Sequence, residues 1–343
     1  MRILVAGLGS AGQRHVRNLR TLFGASVEIH AYRVRGLSRV IRPDGTTDPG
    51  PVEQTYGITA FTSLDDALAA RPDAVFVTNP PDQHLRVALA AARAGCHLFI
   101  EKPLSHTLAG VAELRDAVAR AGVVCAVGYQ LRLHPVFTAL RDKLAGGAVG
   151  RVLSAQLDFG EYLPAWHPWE DYRGMFQADR ARGGGVILEQ SHDLDYALAL
   201  FGPARVVAGA GGRSGELDID AEDWADLLLT CGEAESPVPV HLHQDLLRHP
   251  QTRTCRIVGA RGRLDADFVS GQVTLTHPTG EVEAPDIALA DRNALFLEEL
   301  RRFFRAVTGH GAPAASLDDS IATLRVAAAA LDAIATGEPV SLA

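Results

Sequence analysis

The chain has 343 residues, 47% of them hydrophobic and 22% charged, with a formal net charge of −8. That length suits two domains better than one, and the composition is that of a globular protein able to bury a sizeable core. The acidic balance excludes a general nucleic-acid binder, and no apolar run is long enough to span a bilayer.

Arg2 to Ala6 is a short apolar run that predicts a buried strand. It leads directly into Gly7-Leu8-Gly9-Ser10-Ala11-Gly12 and then into a helix. A G-x-G-x-x-G turn between strand and helix is the fingerprint of a dinucleotide site. Gly7 permits the turn, Gly9 admits the pyrophosphate to the backbone, and Gly12 lets helix and strand pack closely. The helix N-terminus offers free N–H donors and partial positive charge. A βα turn rich in glycine for packing alone is the alternative.

Val27 to Tyr32 alternates and predicts a second strand. Its end lies where a dinucleotide fold reads the adenosine ribose. An acidic residue there suits NAD; the chain instead gives Tyr32-Arg33-Val34-Arg35. A guanidinium suits a 2′-phosphate, so Arg33 favours NADP over NAD. Arg33 and Arg35 as surface charges, or Arg33 stacked on adenine, remain open. Gly36 to Pro51 is rich in Gly, Pro, Asp and Thr and predicts a loop.

Ile58 to Phe61 predicts a strand, and Ser63 caps the helix that follows it. Asp73 to Thr78 is a continuous apolar run, as in a central parallel strand. It ends at Asn79-Pro80-Pro81-Asp82-Gln83-His84. A helix over Leu85 to Ala94 stops at Gly95, and the strand His97 to Ile100 ends at Glu101-Lys102-Pro103. Alternating strands and helices predict a right-handed, doubly wound sheet whose strand ends face a ligand crevice. A lysine at such an end suits proton exchange with a substrate oxygen. A solvated Lys102 paired with Glu101 is the plainer reading of the tripeptide alone.

Val123 to Val127 predicts the last strand of a first domain, and Gly128 to Pro135 follows it. A helix over Val136 to Leu144 and a strand over Val152 to Phe159 come next. Glu161 to Arg173 then concentrates Tyr162, Trp166, His167, Trp169 and Tyr172 in a chain that is 6% aromatic. Flat amphipathic rings beside His, Asp and Arg suit a polyhydroxylated ring, with Arg173 able to pair with a substrate carboxylate or phosphate. A loop pinned by its tryptophans, or a subunit contact, fits the same pattern.

After the flexible Gly183-Gly184-Gly185, a helix is predicted over Val186 to Leu200. Ile187, Leu194, Leu198 and Phe201 fall on one side, and Glu189, His192, Asp193 and Tyr196 on the other. Val206 to Ala208, Trp224 to Thr230, Val238 to Asp245 and Thr254 to Gly259 predict strands of a second sheet, with a hairpin around Ser270-Gly271. His241, His243 and Asp245 alternate on one strand, but a further ligand set is lacking and no metal is expected. Helices are predicted over Asn293 to Val307 and Leu317 to Thr336, the latter capped by Ser316 and ended by Gly337. The cysteines Cys96, Cys125, Cys231 and Cys255 form no C-x-x-C pair, which fits reduced thiols in a cytoplasmic protein. The chain enters a strand within two residues, leaving no room for a signal peptide.

Gly7-x-Gly9-x-x-Gly12, the Asn79 to His84 segment, Glu101-Lys102-Pro103, the triple glycine and His192-Asp193-Leu194-Asp195 together resemble the Gfo/Idh/MocA oxidoreductase family over essentially the whole chain. The resemblance implies an α/β protein with a Rossmann domain over 1–127. Over 128–343 it implies an α/β substrate and oligomerisation domain with a large, mostly antiparallel open sheet. It also implies NAD(P)-linked oxidation or reduction at a ring carbon of a sugar, nucleotide sugar or cyclitol, in a cleft between the domains. Asn79, Pro80, His84 and Glu101 would join the glycine turn and Arg33 at the dinucleotide. Lys102 would orient substrate and move a proton, and Gln130 and Arg132 would help line the cleft. The chain departs from the family where D-x-G-x-H is usual, since it has Glu189-Gln190-Ser191-His192. Matching His192-x-x-Asp195 to the family's H-x-x-D makes His192 the general acid or base. Glu189 then orients His192, touches a substrate hydroxyl or caps a turn. A homo-oligomer, dimer or tetramer, is expected through the open sheet face. Two other outcomes exist among such relatives: a glycosidase that retains its nicotinamide, and a cofactor-sensing binding protein without catalysis.

Overall fold

The computed structural model describes residues 1–36, 38–289 and 291–342. The chain divides into two units, one of Met1–Gly128 with Phe296–Ser320, the other of Tyr129–Leu295 with the chain from Ile321 onward. The sequence alone predicts one boundary and an unbroken second domain; the structure instead returns Phe296–Ser320 to the first unit.

The first unit opens with β1 (Arg2–Ala6), α1 (Ser10–Phe23) and β2 (Glu28–Tyr32). The segment expected as a loop pairs in part, β3 (Arg39–Ile41) against β4 (Thr47–Pro49), and α2 (Val52–Tyr56) follows. Next come β5 (Thr59–Phe61), α3 (Leu64–Ala69), β6 (Ala74–Val77), α4 (His84–Arg93), β7 (His97–Ile100), α5 (Val111–Ala121) and β8 (Cys125–Val127). Ser63 accepts the Asp66 N–H and so caps α3 as predicted. The six strands form a parallel sheet in the order β5-β2-β1-β6-β7-β8. The chain reverses its winding between β1 and β6, so the ends of these two strands mark the place where ligands bind in such sheets. Both faces are covered, which is why Ile3, Leu4, Val5, Val75, Phe76 and Phe99 are fully buried. Phe76 and Phe99 stack at 5.1 Å, and Phe303 meets both edge-on. That packing explains why a segment from the far end of the chain belongs to this unit.

The second unit holds α6 (Pro135–Ala145), β9 (Val152–Gly160), α7 (Val186–Glu189) and α8 (Ser191–Phe201). Then follow β10 (Ala204–Gly212), β11 (Trp224–Cys231), β12 (Val238–Asp245), β13 (Thr252–Gly259), β14 (Gly262–Asp267), β15 (Val273–Thr276) and β16 (Val282–Glu283). Helices α9 (Arg292–Val307) and α10 (Leu317–Thr336) and strand β17 (Val340–Ser341) end the chain, with α9 from Phe296 and α10 up to Ser320 belonging to the first unit. The nine-stranded sheet runs β16-β15-β14-β13-β9-β12-β11-β10-β17 and is antiparallel except where β9 meets β12. Val240, Leu242, Leu227, Leu229 and Ile257 are fully buried, and their neighbours along each strand face outward, as expected of a sheet with one covered face. The helix predicted over Val186 to Leu200 is two helices, because Gln190 leaves the α region at φ −100° and ψ 30°.

Candidate active site

At the end of β1 the chain is built for close approach. Gly7 has φ 104°, and a Cβ there would stand 2.9 Å from the Asn79 nitrogen. A Cβ on Gly12 would stand 2.0 Å from the Gly7 carbonyl oxygen, which also accepts the Thr78 hydroxyl at 2.8 Å. Gly9 is different: it is exposed, and a Cβ there would meet nothing within 4 Å. Helix α1 begins at Gly9 with no side-chain cap and no acidic residue in its first turn. Uncapped N–H groups beside open space fit a pyrophosphate. Leu8 is buried under the turn, while Ser10 and Ala11 are half-buried at its rim. Gln13, which the sequence reading did not single out, ties the turn to β3. Its amide donates to the Leu8 and Arg39 carbonyls at 3.1 and 2.9 Å and accepts from the Ile41 N–H at 2.8 Å.

Arg33 stands just past β2. Its guanidinium pairs with Glu53 at 2.6 Å and donates to the Arg35 carbonyl at 3.0 and 2.8 Å. Arg86 donates to the Tyr32 hydroxyl at 2.9 Å. Glu53 on α2 and Arg86 on α4 were not anticipated.

Asn79 and Pro80 follow β6, and the buried Oδ1 of Asn79 has no hydrogen-bond partner among the described residues. An orphaned acceptor next to Gly7 is a second feature that fits a bound dinucleotide. His84 is buried, its Nδ1 2.9 Å from the Pro103 carbonyl oxygen and its Nε2 2.7 Å from that of Asn79. Burial lowers its pKa against the pull of these two carbonyls. Glu101 accepts from His15 Nε2 at 2.7 Å and Arg14 at 3.0 Å. Burial alone would raise its carboxyl. The His15 hydrogen bond and the charges of Arg14 and Lys102 overcome that and hold it far below the usual carboxylate range. Lys102, half-buried, follows at the end of β7. One sequence signal for it went unread: the chain holds 33 lysines and arginines together, and only Lys102 and Lys143 are lysine. A composition so biased to arginine leaves lysine where a compact, titratable ammonium is wanted.

In the second unit the triple glycine is buried and sterically required, so the flexibility expected of it is corrected. A Cβ on Gly184 would stand 2.5 Å from the Phe176 and Gln177 carbonyl oxygens. One on Gly185, at φ 99°, would stand 2.3 Å from the Glu222 carboxylate. That carboxylate accepts the Ile187 N–H at 3.3 Å at the start of α7. The break at Gln190 is held from the sheet: Gln244 donates to the Gln190 carbonyl at 2.7 Å, and Arg253 donates to its side-chain oxygen at 2.8 Å.

The polar face of the two helices is buried. Tyr196 and Asp193 have no exposure, while Glu189 and His192 keep 6% and 7%. Asp193 lies 3.7 Å from Arg253, a buried guanidinium stacked on Phe159 at 4.5 Å. Burial raises the Asp193 carboxyl and the Arg253 charge opposes it. Asp193 is therefore committed to the interior, and His192 is the imidazole offered at this turn. The Tyr129 ring meets the His192 ring edge-on at 5.5 Å, and its hydroxyl reaches Ser191 at 3.3 Å. Arg132 is joined to Asp195 by two bonds of 2.7 and 2.8 Å, and Gln130 opens the same short helical turn.

The aromatic segment folds into short helical turns that make contacts both within the segment and with neighbouring loops. Tyr162 lies on His249 at 4.1 Å, and His167 stacks on Trp169 at 4.9 Å and bonds Glu170 at 3.0 Å. Trp166 is half-buried. Arg173 pairs with Asp171 at 3.0 Å and Asp218 at 3.2 Å. The structure thus brings Tyr129 and His192 together, ties Arg132 to the same helix through Asp195, and places Tyr162, His167 and Arg173 on the loop that follows β9. His241 and His243 share Asp226 on the outer sheet face, and no group of three His, Cys, Asp or Glu side chains among the described residues is arranged to hold a metal. Among the described residues, no helix is long and apolar enough to cross a membrane.

Comparison with known proteins bears on the family and the fold. A family model described as an oxidoreductase family with an NAD-binding Rossmann fold matches residues 1–129, and the GFO/IDH/MocA C-terminal domain matches residues 137–265. The chain is 31% identical to 1,5-anhydro-D-fructose reductase of Ensifer adhaerens, over 90% of this chain and 92% of that protein. It is 26% identical to myo-inositol 2-dehydrogenase of Thermotoga maritima, over 93% and 92%. It is 29% identical to UDP-N-acetylglucosamine 3-dehydrogenase of Acidithiobacillus ferrooxidans, over 79% and 80%. A levoglucosan dehydrogenase solved with NADH shares the fold at a TM-score of 0.81 and 17% identity, covering 100% of this chain and 99% of that one.

Proposed function

The chain belongs to the Gfo/Idh/MocA oxidoreductase family, and on that premise we propose that it interconverts a secondary alcohol and a ketone on a ring carbon of a sugar, nucleotide sugar or cyclitol, using NAD(P). The observation that carries the reading is the open, uncapped start of α1 at Gly9, with Lys102 two strands away at the end of β7. The dinucleotide supplies or takes the hydride. Gly9 to Gly12 would hold its pyrophosphate, and the orphaned Asn79 Oδ1 would accept from a hydroxyl or amide N–H elsewhere on the dinucleotide. In the oxidative direction His192 accepts the hydroxyl proton as the carbinol carbon gives up its hydride, and the Lys102 ammonium stabilises the alkoxide that develops. Reduction runs the same transfers backwards. Glu189, next to the Gln190 break, orients His192. Gln130, Arg132, Tyr162, Trp166, His167 and Arg173 serve the sugar, Arg132 by bracing α8 through Asp195.

The dinucleotide is read at Arg33. Its guanidinium favours the 2′-phosphate of NADP, and Glu53, which holds the fork, competes with that phosphate. A cytoplasmic dimer or tetramer is part of the same proposal, supported by the buried free cysteines and by the open sheet face carrying Asp226, Leu228 and His241. The test is nicotinamide absorbance over a panel of anhydro-sugars, cyclitols and nucleotide sugars with both dinucleotides. Turnover of one ring alcohol or ketone, lost in Lys102→Ala and His192→Ala, is the expected result. Tight dinucleotide binding with no turnover across the panel refutes it.

A further inference from the structure

Lys102 stands between two residues that buried histidines hold. On one side Glu101 accepts from His15 Nε2 at 2.7 Å, and on the other the Pro103 carbonyl oxygen lies 2.9 Å from His84 Nδ1. His15 and His84 are 0% and 1% exposed. His15 packs edge-on against the stacked Phe76 and Phe99 rings, at 5.4 and 5.1 Å, and its Nδ1 has no partner among the described residues. Leucine or phenylalanine would fill that place without burying an unsatisfied ring nitrogen. An imidazole retained there has one polar contact to justify it, the Glu101 carboxylate. His84 is placed alike, since a neutral ring donates to only one of the two carbonyls it faces.

We propose that His15 and His84 are positioning residues that aim Lys102, one through the Glu101 side chain and the other through the Pro103 carbonyl. The inference rests on the reading of Lys102 as the group that handles the substrate oxygen. His15 comes from α1, whose first turn forms the phosphate cradle, and His84 opens α4, directly after the Asn79 loop. The elements that hold the dinucleotide and the backbone that carries the lysine are therefore tied into one piece. Burial lowers the pKa of both rings, and the charged groups facing them are Arg14 and Glu101 at His15 and Glu101 at His84. Each ring is neutral at neutral pH with a single N–H, and for His15 that N–H donates to Glu101.

Because the chain has only two lysines, reductive methylation with carbon-13 formaldehyde gives two side-chain signals, Lys102 and Lys143, besides the amino terminus. His15→Leu and His84→Leu remove the straps, while His15→Gln keeps an amide N–H where Nε2 stands. The Lys102 resonance is expected to move in both leucine variants and to stay in His15→Gln, with Lys143 unmoved throughout. With a substrate in hand, the leucine variants lose about 10- to 100-fold in kcat, and His15→Gln recovers most of it. Their dinucleotide Kd changes by less than about threefold. A Lys102 resonance unmoved in both leucine variants, or a glutamine variant as impaired as the leucine one, overturns the proposal. If the leucine variants fail to melt cooperatively, His15→Asn, whose shorter amide does not reach Glu101, and His84→Gln, whose amide stands at the Nε2 position beside Asn79 and not at Nδ1 beside Pro103, are judged by the same signals. Wild-type protein that turns over no sugar overturns the oxidoreductase reading alone, because the resonance measurement needs no turnover.

Discussion

Two alanine substitutions in the glycine turn separate packing from ligand binding. At Gly12 the new Cβ would stand 2.0 Å from the Gly7 carbonyl oxygen, more than an ångström inside contact distance, so α1 must move away from β1. Overpacking of that kind costs about 1–3 kcal/mol, and here the displaced atoms are backbone. At Gly9 the new Cβ meets nothing, and φ is −71°, which alanine adopts without strain. Losing glycine at an N-cap costs roughly 0.5–1 kcal/mol, and stiffening the unfolded chain returns about 0.4–1 kcal/mol, so the two nearly cancel. In the bound state the same methyl occupies the space assigned to the pyrophosphate and forfeits one charge-assisted hydrogen bond of about 1.5–3 kcal/mol, roughly 10- to 150-fold in Kd. Thermal melts of the dinucleotide-free protein and fluorescence titration with NADH and NADPH read the two effects separately. Gly12→Ala is expected to lower both Tm and affinity, and Gly9→Ala affinity alone. A Gly9→Ala protein that binds either dinucleotide like wild type refutes the placement of the phosphates.

Other consequences follow from the same geometry. Arg132→Ala strands Asp195, which is 2% exposed, and is expected to cost about 3–5 kcal/mol in urea unfolding; an Arg132→Met/Asp195→Leu pair that fails to recover most of it would contradict the ion-pair account. Glu53→Gln releases Arg33 from its carboxylate and should favour NADPH over NADH by about tenfold in competitive binding, with an unchanged ratio counting against Arg33 as the reader. His15, His84 and His134 are held below their ordinary pKa by burial, His134 at about 4 with the Arg253 charge adding to the effect. Each binds fewer protons folded than unfolded. Its contribution is full above the ordinary value of 6.5 and is lost as pH falls, for His134 down to about 4. His243 is raised, chiefly by Asp245, so its contribution is present below 6.5 and is lost as pH rises through its folded value. Burial lowers His97 as well, so four rings against one predict a urea midpoint that falls from about pH 7 to about pH 5, and a flat profile would contradict the burial of these rings.

The first unit was legible because its information is local. A G-x-G-x-x-G turn, apolar strands buried on both faces and Glu101-Lys102-Pro103 at a strand end each declare themselves within a few residues. That the second sheet is large and mostly antiparallel followed less from pattern than from resemblance, and its strand order came only from the structure. The helix carrying His192 was misread as one unbroken element, since periodicity reports which face is apolar and is silent about a break whose cause lies elsewhere. That break at Gln190 is held by Gln244, 54 residues on, and by Arg253, 63 residues on. The clamp on Glu101 comes from His15, 86 residues earlier. By itself the sequence singled out Gly7 to Gly12, Lys102 and His192 as candidates, because their chemistry resides in residue type and near spacing. Only the tertiary structure decided that Asp193 and Asp195 serve the interior, that the triple glycine is packed rather than free, and that Lys102 is held from both sides. A buried polar group must find its partner wherever the fold brings one, and nothing within a few residues of it records which one that is.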